Sequence, residues 1–357
     1  MRKPSETGMT LRSTRRLCPC VCHQRIRVVL SQKGSVSWCS PGAVITELSL
    51  QQESFNEGID KMQTWNIGEA KITKVVEMEQ MWPGSAVIPD ANSAAVLEHD
   101  WILGPFADRE NGRIRLSFHA FCIEIGDEKI VVDTCAGNDK ARPNFDALSN
   151  LDTDFMQKMT EAGFGPDDVT AVICTHLHVD HVGWNTRLLN GVWQPTFPKA
   201  RYLFGETEWA HWRVEPQVYG DVVGDSIQPC IDAGLAELVQ SDMQLNDAIW
   251  LEPTPGHTPG HHSVCISSGG EDAIITGDLC HHPIQFELPH WSSEPDVDKP
   301  AAITMRRRFA ERYCDDHTLI LGTHFGGPSC GYLRPLGNSW WLDSKGFADL
   351  DDNLPNG

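Results

Sequence analysis

From Met62 onward the chain alternates between two hydrophobic periods. A run rich in apolar and β-branched residues from Arg113 to Ile125 predicts a strand. Gly126-Asp127 then turns it into Lys129-Ile130-Val131-Val132-Asp133, a hairpin. Further strands are predicted at Val169 to Cys174, Arg201 to Phe204, Ile249 to Leu251, Ser263 to Ile266, Ala273 to Thr276 and Thr318 to Leu321, and Asn190-Gly191 marks another hairpin. Leu148, Leu151, Phe155, Met156 and Met159 carry helical spacing, which predicts a helix from Phe145 to Phe164 closed by Gly163. Glu206 to Arg213 and Ala301 to Cys314 read as helices too. Interleaved strands and helices, with hairpins in the first half, predict an α/β fold of mixed sheets covered by helices. There is no repeat at solenoid or propeller period and no apolar run long enough to span a membrane.

The chain has 357 residues, enough for one large domain or two ordinary ones. Apolar residues at 40% and charged residues at 22% are globular values. The net charge is −20, from 29 basic and 49 acidic residues, and it is unevenly spread. The first 61 residues hold nine basic and five acidic groups, leaving 20 and 44 for the rest, a net −24. So acidic a body repels phosphate backbones and argues against nucleic-acid binding. The expected organisation is a basic extension over residues 1–61, a catalytic domain over 62–345 and an acidic tail over 346–357. The extension lacks a secretory apolar core. We read it as disordered or non-native rather than an organelle signal, with Met62 an alternative start.

The 12 cysteines do not form a disulfide framework. Eight are scattered through the body without paired spacing, several in strand-like runs, as buried free thiols of a reducing, cytoplasmic compartment would be. Cys18-Pro19-Cys20-Val21-Cys22-His23 lacks the gap of a zinc knuckle and a second half.

The chemistry follows the strand ending at Cys174, in Thr175-His176-Leu177-His178-Val179-Asp180-His181-Val182-Gly183. In an extended stretch the two-residue period sends His176 and His178 to one side, where both can grip one ion. Asp180 and His181 follow where the chain turns, within reach of a second ion. Imidazole and carboxylate are the ligands zinc-like divalent metals prefer. Three further pieces lie at strand-to-loop positions: His257 in Pro255-Gly256-His257-Thr258-Pro259-Gly260-His261, Asp278 in Thr276-Gly277-Asp278, and His324 in Gly322-Thr323-His324-Phe325.

These four separated motifs, in this order, resemble the metallo-β-lactamase-fold hydrolases, the superfamily of hydrolytic β-lactamases, glyoxalase II, N-acyl homoserine lactone lactonases and methyl-parathion-type phosphotriesterases. The resemblance covers Met62 to about Gly331 and is nearest the lactonase and phosphotriesterase branch. It implies an αββα sandwich of two mixed β-sheets flanked by helices. It further implies that His176, His178 and His257 hold one metal, Asp180, His181 and His324 a second, and that Asp278 bridges two divalent ions, zinc by expectation. Asp133 would orient a ligand histidine; on the residues alone it reads equally as a turn aspartate.

Two ions roughly 3.5 Å apart would share a hydroxide that attacks an electrophilic centre, with Asp180 or Asp278 receiving the released proton. The implied activity is hydrolysis of a small neutral ester, lactone or phosphotriester. Alternatives are β-lactam or thioester hydrolysis, a persulfide-dioxygenase-like iron oxidoreductase, and a non-catalytic metal-binding scaffold. One departure concerns the lactonase tyrosine three residues after the bridging aspartate. Here that position is His281, which can serve as a catalytic hydrogen-bond donor, followed by His282. Trp184, His282 and Phe325 are expected in an apolar substrate pocket overhung by the aromatic-rich segment Met81 to Phe106. A small-molecule substrate is the expected partner, with no nucleic acid or membrane, and a homodimer is one option for assembly.

Overall fold

The computed structural model describes residues 62–215 and 218–347. The extension over 1–61 and most of the 346–357 tail lie outside the described residues. Fifteen strands and six α-helices appear among those described. The chain opens with β1 (Thr64–Ile67), β2 (Ala70–Trp82), α1 (Ser93–Val96), β3 (Ile114–Ile125), β4 (Glu128–Val132), α2 (Phe155–Glu161) and β5 (Ala171–Cys174). There follow β6 (Thr186–Leu189), β7 (Val192–Pro195), β8 (Arg201–Gly205), α3 (Glu206–Trp212), α4 (Gln228–Asp232) and β9 (Ala236–Val239). The second half holds β10 (Ile249–Pro253), β11 (His262–Ser268), β12 (Glu271–Ile275), α5 (Ile284–Glu287), α6 (Lys299–Tyr313), β13 (Leu319–Leu321), β14 (Cys330–Leu336) and β15 (Ser339–Asp343).

Seven strands form one sheet in the order β1-β2-β3-β4-β5-β8-β9, and β10 to β15 form a second in sequence order. Both are mixed: β4, β5, β8 and β9 run parallel, as do β12 and β13, while the hairpins are antiparallel.

The two-residue period explains the layering. Ile130 and Val132 of β4 and Ile173 of β5 face inward and meet Val264, Ile275 and Leu321 of the second sheet in one core. Their neighbours Val131, Val172 and Cys174 face outward and pack under α2, against Phe155 and Met159. On the other side Ile274 and Ile320 turn outward to Phe286 of α5 and Phe309 of α6. Strands covered on both faces read as continuous apolar runs. Helices therefore cover each outer face, the αββα arrangement that the family resemblance implies.

Two expectations need correction. The region Phe145 to Phe164 is helical only over α2; before it the chain makes a short 3-10 turn at Asp146–Leu148, and Asn150 adopts a left-handed conformation (φ 51°) that breaks the helical spacing. The segment Met81 to Phe106 does not simply overhang: Ile88, Val96, Ile102 and Phe106 are buried in the core under α5 and α6. All eight cysteines among the described residues are free, and all but Cys314 are buried.

Candidate metal centre

The site lies at the carboxyl ends of the parallel strands of both sheets, where α/β folds place ligands. Just after β4, Asp133 takes a left-handed conformation (φ 59°) that non-glycine residues rarely adopt. There its Oδ1 accepts from the backbone N–H of Thr175 at 2.8 Å and its Oδ2 from Nδ1 of His181 at 2.9 Å. The loop after β5 is thus tied to the end of β4, and a close backbone approach seals it. A Cβ on Gly183 would sit 1.9 Å from the carbonyl oxygen of Ala136.

Two groups of side chains converge here. Ligand-capable atoms of His176, His178, His257 and Asp278 lie within 4.8 Å of one another, as do those of Asp180, His181 and His324. Asp278 joins the groups: its Oδ2 is 3.7 Å from His176 Nε2, 3.4 Å from His257 Nε2 and 3.3 Å from His181 Nε2, and its Oδ1 is 3.2 Å from His324 Nε2. The structure therefore brings together all seven residues that the motifs singled out.

The hydrogen-bond network assigns the imidazole protons. His181 donates through Nδ1 to Asp133, His324 through Nδ1 to the Ser117 carbonyl (3.1 Å) and His257 through Nδ1 to Asp296 Oδ1 (3.0 Å). The Thr175 hydroxyl gives its proton to Asp133 Oδ2 (2.9 Å) and accepts from Nδ1 of His176 at 3.1 Å. Their Nε2 atoms are consequently bare lone pairs. Yet His257 and His176 face each other Nε2 to Nε2 at 3.2 Å, and so do His181 and His324. His178 Nδ1 is 2.9 Å from the Nε2 of both His176 and His257. Asp278 Oδ1, buried, has no hydrogen-bond donor. Lone pairs and carboxylates in such contact repel unless cations lie among them, so this donor set fits a pair of divalent metals. Burial pushes His176 and His178 well below the usual imidazole range, toward the neutral form metals require. Burial opposes ionisation of Asp278, but the histidines around it hold its carboxyl well below the usual range.

His281 also reaches the centre, with Nε2 3.1 Å from Asp278 Oδ2 and its ring stacked on His324 (centroids 5.6 Å, interplanar 5°). The three residues expected in a substrate pocket are packed elsewhere. Trp184 stacks on Phe155 in the core under α2 and donates to Glu77 Oε1 at 2.6 Å. His282 is fully buried and bonds the Phe106 carbonyl at 2.9 Å; burial brings it down to about 4. Phe325 is enclosed by Phe106 and Phe286. Following a metal motif in sequence does not decide which face a side chain takes. A surface groove of about 680 Å³ lined by Pro255, Gly256, Pro259, Val297 and Asp298 includes none of the converging side chains.

Sequence reasoning missed Asp296, Ser293, Glu208 and His261. Glu208 of α3 accepts from the Leu177 N–H (3.2 Å) and the Gly260 N–H (2.7 Å), joining the two histidine loops. His261 Nε2 accepts from the Asp278 N–H at 2.8 Å. Asp296 is clamped by Arg306, whose Nη2 lies 2.7 Å from Oδ2. A readable signal did exist there: Arg306 falls on the stripe Ala302, Arg306, Phe309, Tyr313 that α6 buries.

Comparisons with known proteins agree with this architecture. The N-acyl homoserine lactonase of Bacillus thuringiensis is 25% identical over 228 residues, 59% of this chain and 82% of that protein. The N-acyl homoserine lactonase AttM of Rhizobium radiobacter is 25% identical over 174 residues, 45% of this chain and 60% of its own. Among solved structures, the dizinc quorum-quenching lactonase AidC superposes with a TM-score of 0.65 at 20% identity, over 79% of this chain and 96% of that one. The hydrolase AbOPH superposes at 0.64 and 22% identity with the same coverages. Residues 119–310, 192 of the 357, match the metallo-beta-lactamase superfamily, and with the fold and the converging motifs this places the chain: it belongs to the metallo-beta-lactamase superfamily.

Proposed function

We propose that the protein is a dinuclear metal-dependent hydrolase of small neutral lactones, with esters and phosphotriesters as related substrates. The observation that carries this reading is the convergence of imidazole lone pairs and two carboxylates in two adjoining groups. The lactonase relatives favour the lactone over the other substrates. His176, His178, His257 and Asp278 would hold one ion, and Asp180, His181 and His324, sharing Asp278, the other; zinc suits this nitrogen- and oxygen-rich set. Such ions, when bound, supply Lewis acidity toward a substrate oxygen and acidify water.

The chain's own residues do the rest. Asp133, Thr175 and the Ser117 carbonyl keep three ligand imidazoles in the tautomer that points a lone pair inward. His281 stands where an N–H can donate to the oxygen that gains charge as the carbonyl is attacked. Asp180 takes up the proton released from the attacking water, because its side chain, 14% exposed against 3% for Asp278, can pass that proton to solvent.

Initial rates of metal-loaded and chelator-stripped protein on a lactone, an aryl ester, a phosphotriester and a β-lactam test this reading. Turnover should require metal, be fastest on the lactone, and fall by roughly 10³-fold or more in Asp278→Ala, as loss of several kcal/mol of charge stabilisation implies. A protein with two metals bound and no turnover on any of the four would overturn it. Oxygen consumption by an iron-loaded sample would then support the oxidoreductase alternative.

A further inference from the structure

Two of the imidazoles at the centre lean on one short loop. Ser293 and Asp296 lie between α5 and α6, and both are buried. Asp296 Oδ1 receives Nδ1 of His257 (3.0 Å). Its Oδ2 receives the backbone N–H of Ser293 (2.9 Å) and the guanidinium of Arg306 (2.7 Å). Ser293 Oγ in turn lies 2.7 Å from Nδ1 of His281.

Gln285 settles the direction of that last bond. Its Oε1 accepts from the backbone N–H groups of His281 (2.7 Å) and His282 (3.3 Å), so the amide orientation is fixed. Its Nε2 therefore donates, to the Trp291 carbonyl (2.8 Å) and to Ser293 Oγ (3.1 Å). Because Gln285 presents a donor to Ser293 Oγ, the hydroxyl proton cannot go there, and among the described residues Nδ1 of His281 is the acceptor left to it. Nδ1 of a neutral His281 is then bare, and its proton sits on Nε2, aimed at Asp278 and the centre. A carboxylate imposes the opposite arrangement on His257, with the proton outward and the lone pair inward.

We propose that the Ser293–Asp296 loop is a positioning device that holds His257 and His281 in opposite tautomers, one as a metal ligand and the other as a hydrogen-bond donor to substrate. The proposal rests on the hydrolase reading for the roles, but the tautomers stand apart from any activity. Arg306 fixes the carboxylate from α6, so one buried ion pair orients a ligand directly and, through the Ser293 backbone, the donor as well. Ser293 and Asp296 touch no reacting atom; they act through the two rings.

Two-bond ¹H–¹⁵N correlation spectra of the full-length, zinc-loaded, histidine-labelled protein read the tautomers without substrate. His281 should be protonated on Nε2 and His257 on Nδ1; either ring in the other form overturns the proposal. Ser293→Ala should release His281 to a mixture of tautomers and lower kcat about tenfold with both zinc equivalents retained, and Ser293→Thr should restore the wild-type spectrum. Asp296→Ala should weaken one of the two zinc equivalents about 10- to 100-fold in chelator competition and, by freeing the Ser293 backbone, loosen the His281 tautomer as well. Asp296→Asn, which keeps an acceptor for His257, should lose less. If Asp296→Ala fails to fold, Asn carries the metal arm. Wild-type zinc affinity in the folded Asp296 variant, or an unchanged His281 tautomer in Ser293→Ala, would overturn the proposal. Absence of hydrolysis with both tautomers as stated would sink only the catalytic reading.

Discussion

The two halves of the molecule build the same centre in different ways. The first supplies His176, His178, Asp180 and His181 from a single loop after β5, held by Asp133 from the neighbouring strand. The second supplies His257, Asp278 and His324 from three separate strand ends, each set by its own long-range partner. His257 depends on Asp296, the Asp278 backbone on His261, and His324 on the Ser117 carbonyl of the first half. A local motif can hold its shape once two adjacent strands pair. Scattered ligands meet only when both sheets have closed on their shared core. The first half is therefore a preformed clamp, and the second is a measure of complete folding.

The sharpest way to break the first half is at Gly183. A Cβ there would meet the Ala136 carbonyl oxygen at 1.9 Å and its carbon at 2.0 Å, both backbone atoms with no rotamer to escape through. Gly183→Ala should cost about 3 kcal/mol or more in urea unfolding. Gly191→Ala, on an open turn with nothing near its Cβ, should cost only about 1 kcal/mol for its left-handed backbone. Equal losses at the two sites would show that the loop yields and is no rigid clamp.

The halves also differ in their buried ion pairs. Asp296 pairs with one guanidinium, that of Arg306, beside the His257 ring, whereas Lys140 and Arg142 share one carboxylate, Asp225, at 3.6 and 2.6 Å. Burial, opposed by Asp225 and reinforced by Arg142, brings Lys140 down to about 8. Below pH 8 the ammonium is charged in both states, and the folded state bears the full penalty of burying it. Between about 8 and the unfolded value of about 10.4 the unfolded chain holds more protons, so stability should rise with pH, by up to about 3 kcal/mol. Lys140→Met should abolish that rise. A difference between wild type and variant that stays flat from pH 8 to 10.4 would mean that Asp225 keeps Lys140 charged throughout.

The same contrast governs what could be read beforehand. The cluster from His176 to His181 announces itself because its spacing is local, and the strand-end positions of His257, Asp278 and His324 follow from ordered motifs. Asp296 and Glu208 do not, since the residues they serve lie 39 and 52 positions away, and the one local sign is Arg306 on the buried stripe of α6, which calls for a carboxylate without saying which. Strand β2 was hidden for another reason. Lys74, Glu77 and Glu79 interrupt its apolar pattern, yet Lys74 pairs with Glu79 at 3.2 Å, and Glu77 occupies a bulge between Val76 and Met78, accepting from the Ala136 and Gly137 N–H groups. Charges that find partners only in the folded chain look like loop residues in the sequence.

Glu208 ties the two halves together through one side chain, so it can sharpen the comparison. Its carboxylate accepts from Leu177 in the first histidine loop, from Gly260 beside the second and from the Trp212 indole at 2.8 Å. Gln in its place turns one acceptor into a donor facing an N–H, which should cost about 2 kcal/mol. Because both loops loosen, both zinc equivalents should weaken together in chelator competition, unlike the single equivalent expected of Asp296→Ala. Loss confined to one equivalent would show that the loops are positioned independently.

Trp184 gives the smallest effect and decides which region it serves. It directly follows the metal motif, yet its ring lies against Phe155 and its Nε1–H is spent on Glu77, a carboxylate that burial pushes upward and that backbone N–H groups from the 136–137 turn partly compensate. Trp184→Phe removes one donor from a buried acceptor that keeps its other partners, and leaves a modest void. The expected cost is about 1 to 2 kcal/mol of stability, from the lost hydrogen bond and packing together. Since the side chain faces the core under α2 and not the imidazoles, kcat/KM in the hydrolysis assay proposed above should stay at the wild-type value. A folded Trp184→Phe variant with altered substrate ranking would move Trp184 back among the substrate contacts, and the clamp of the first half would then serve recognition as well as metal binding.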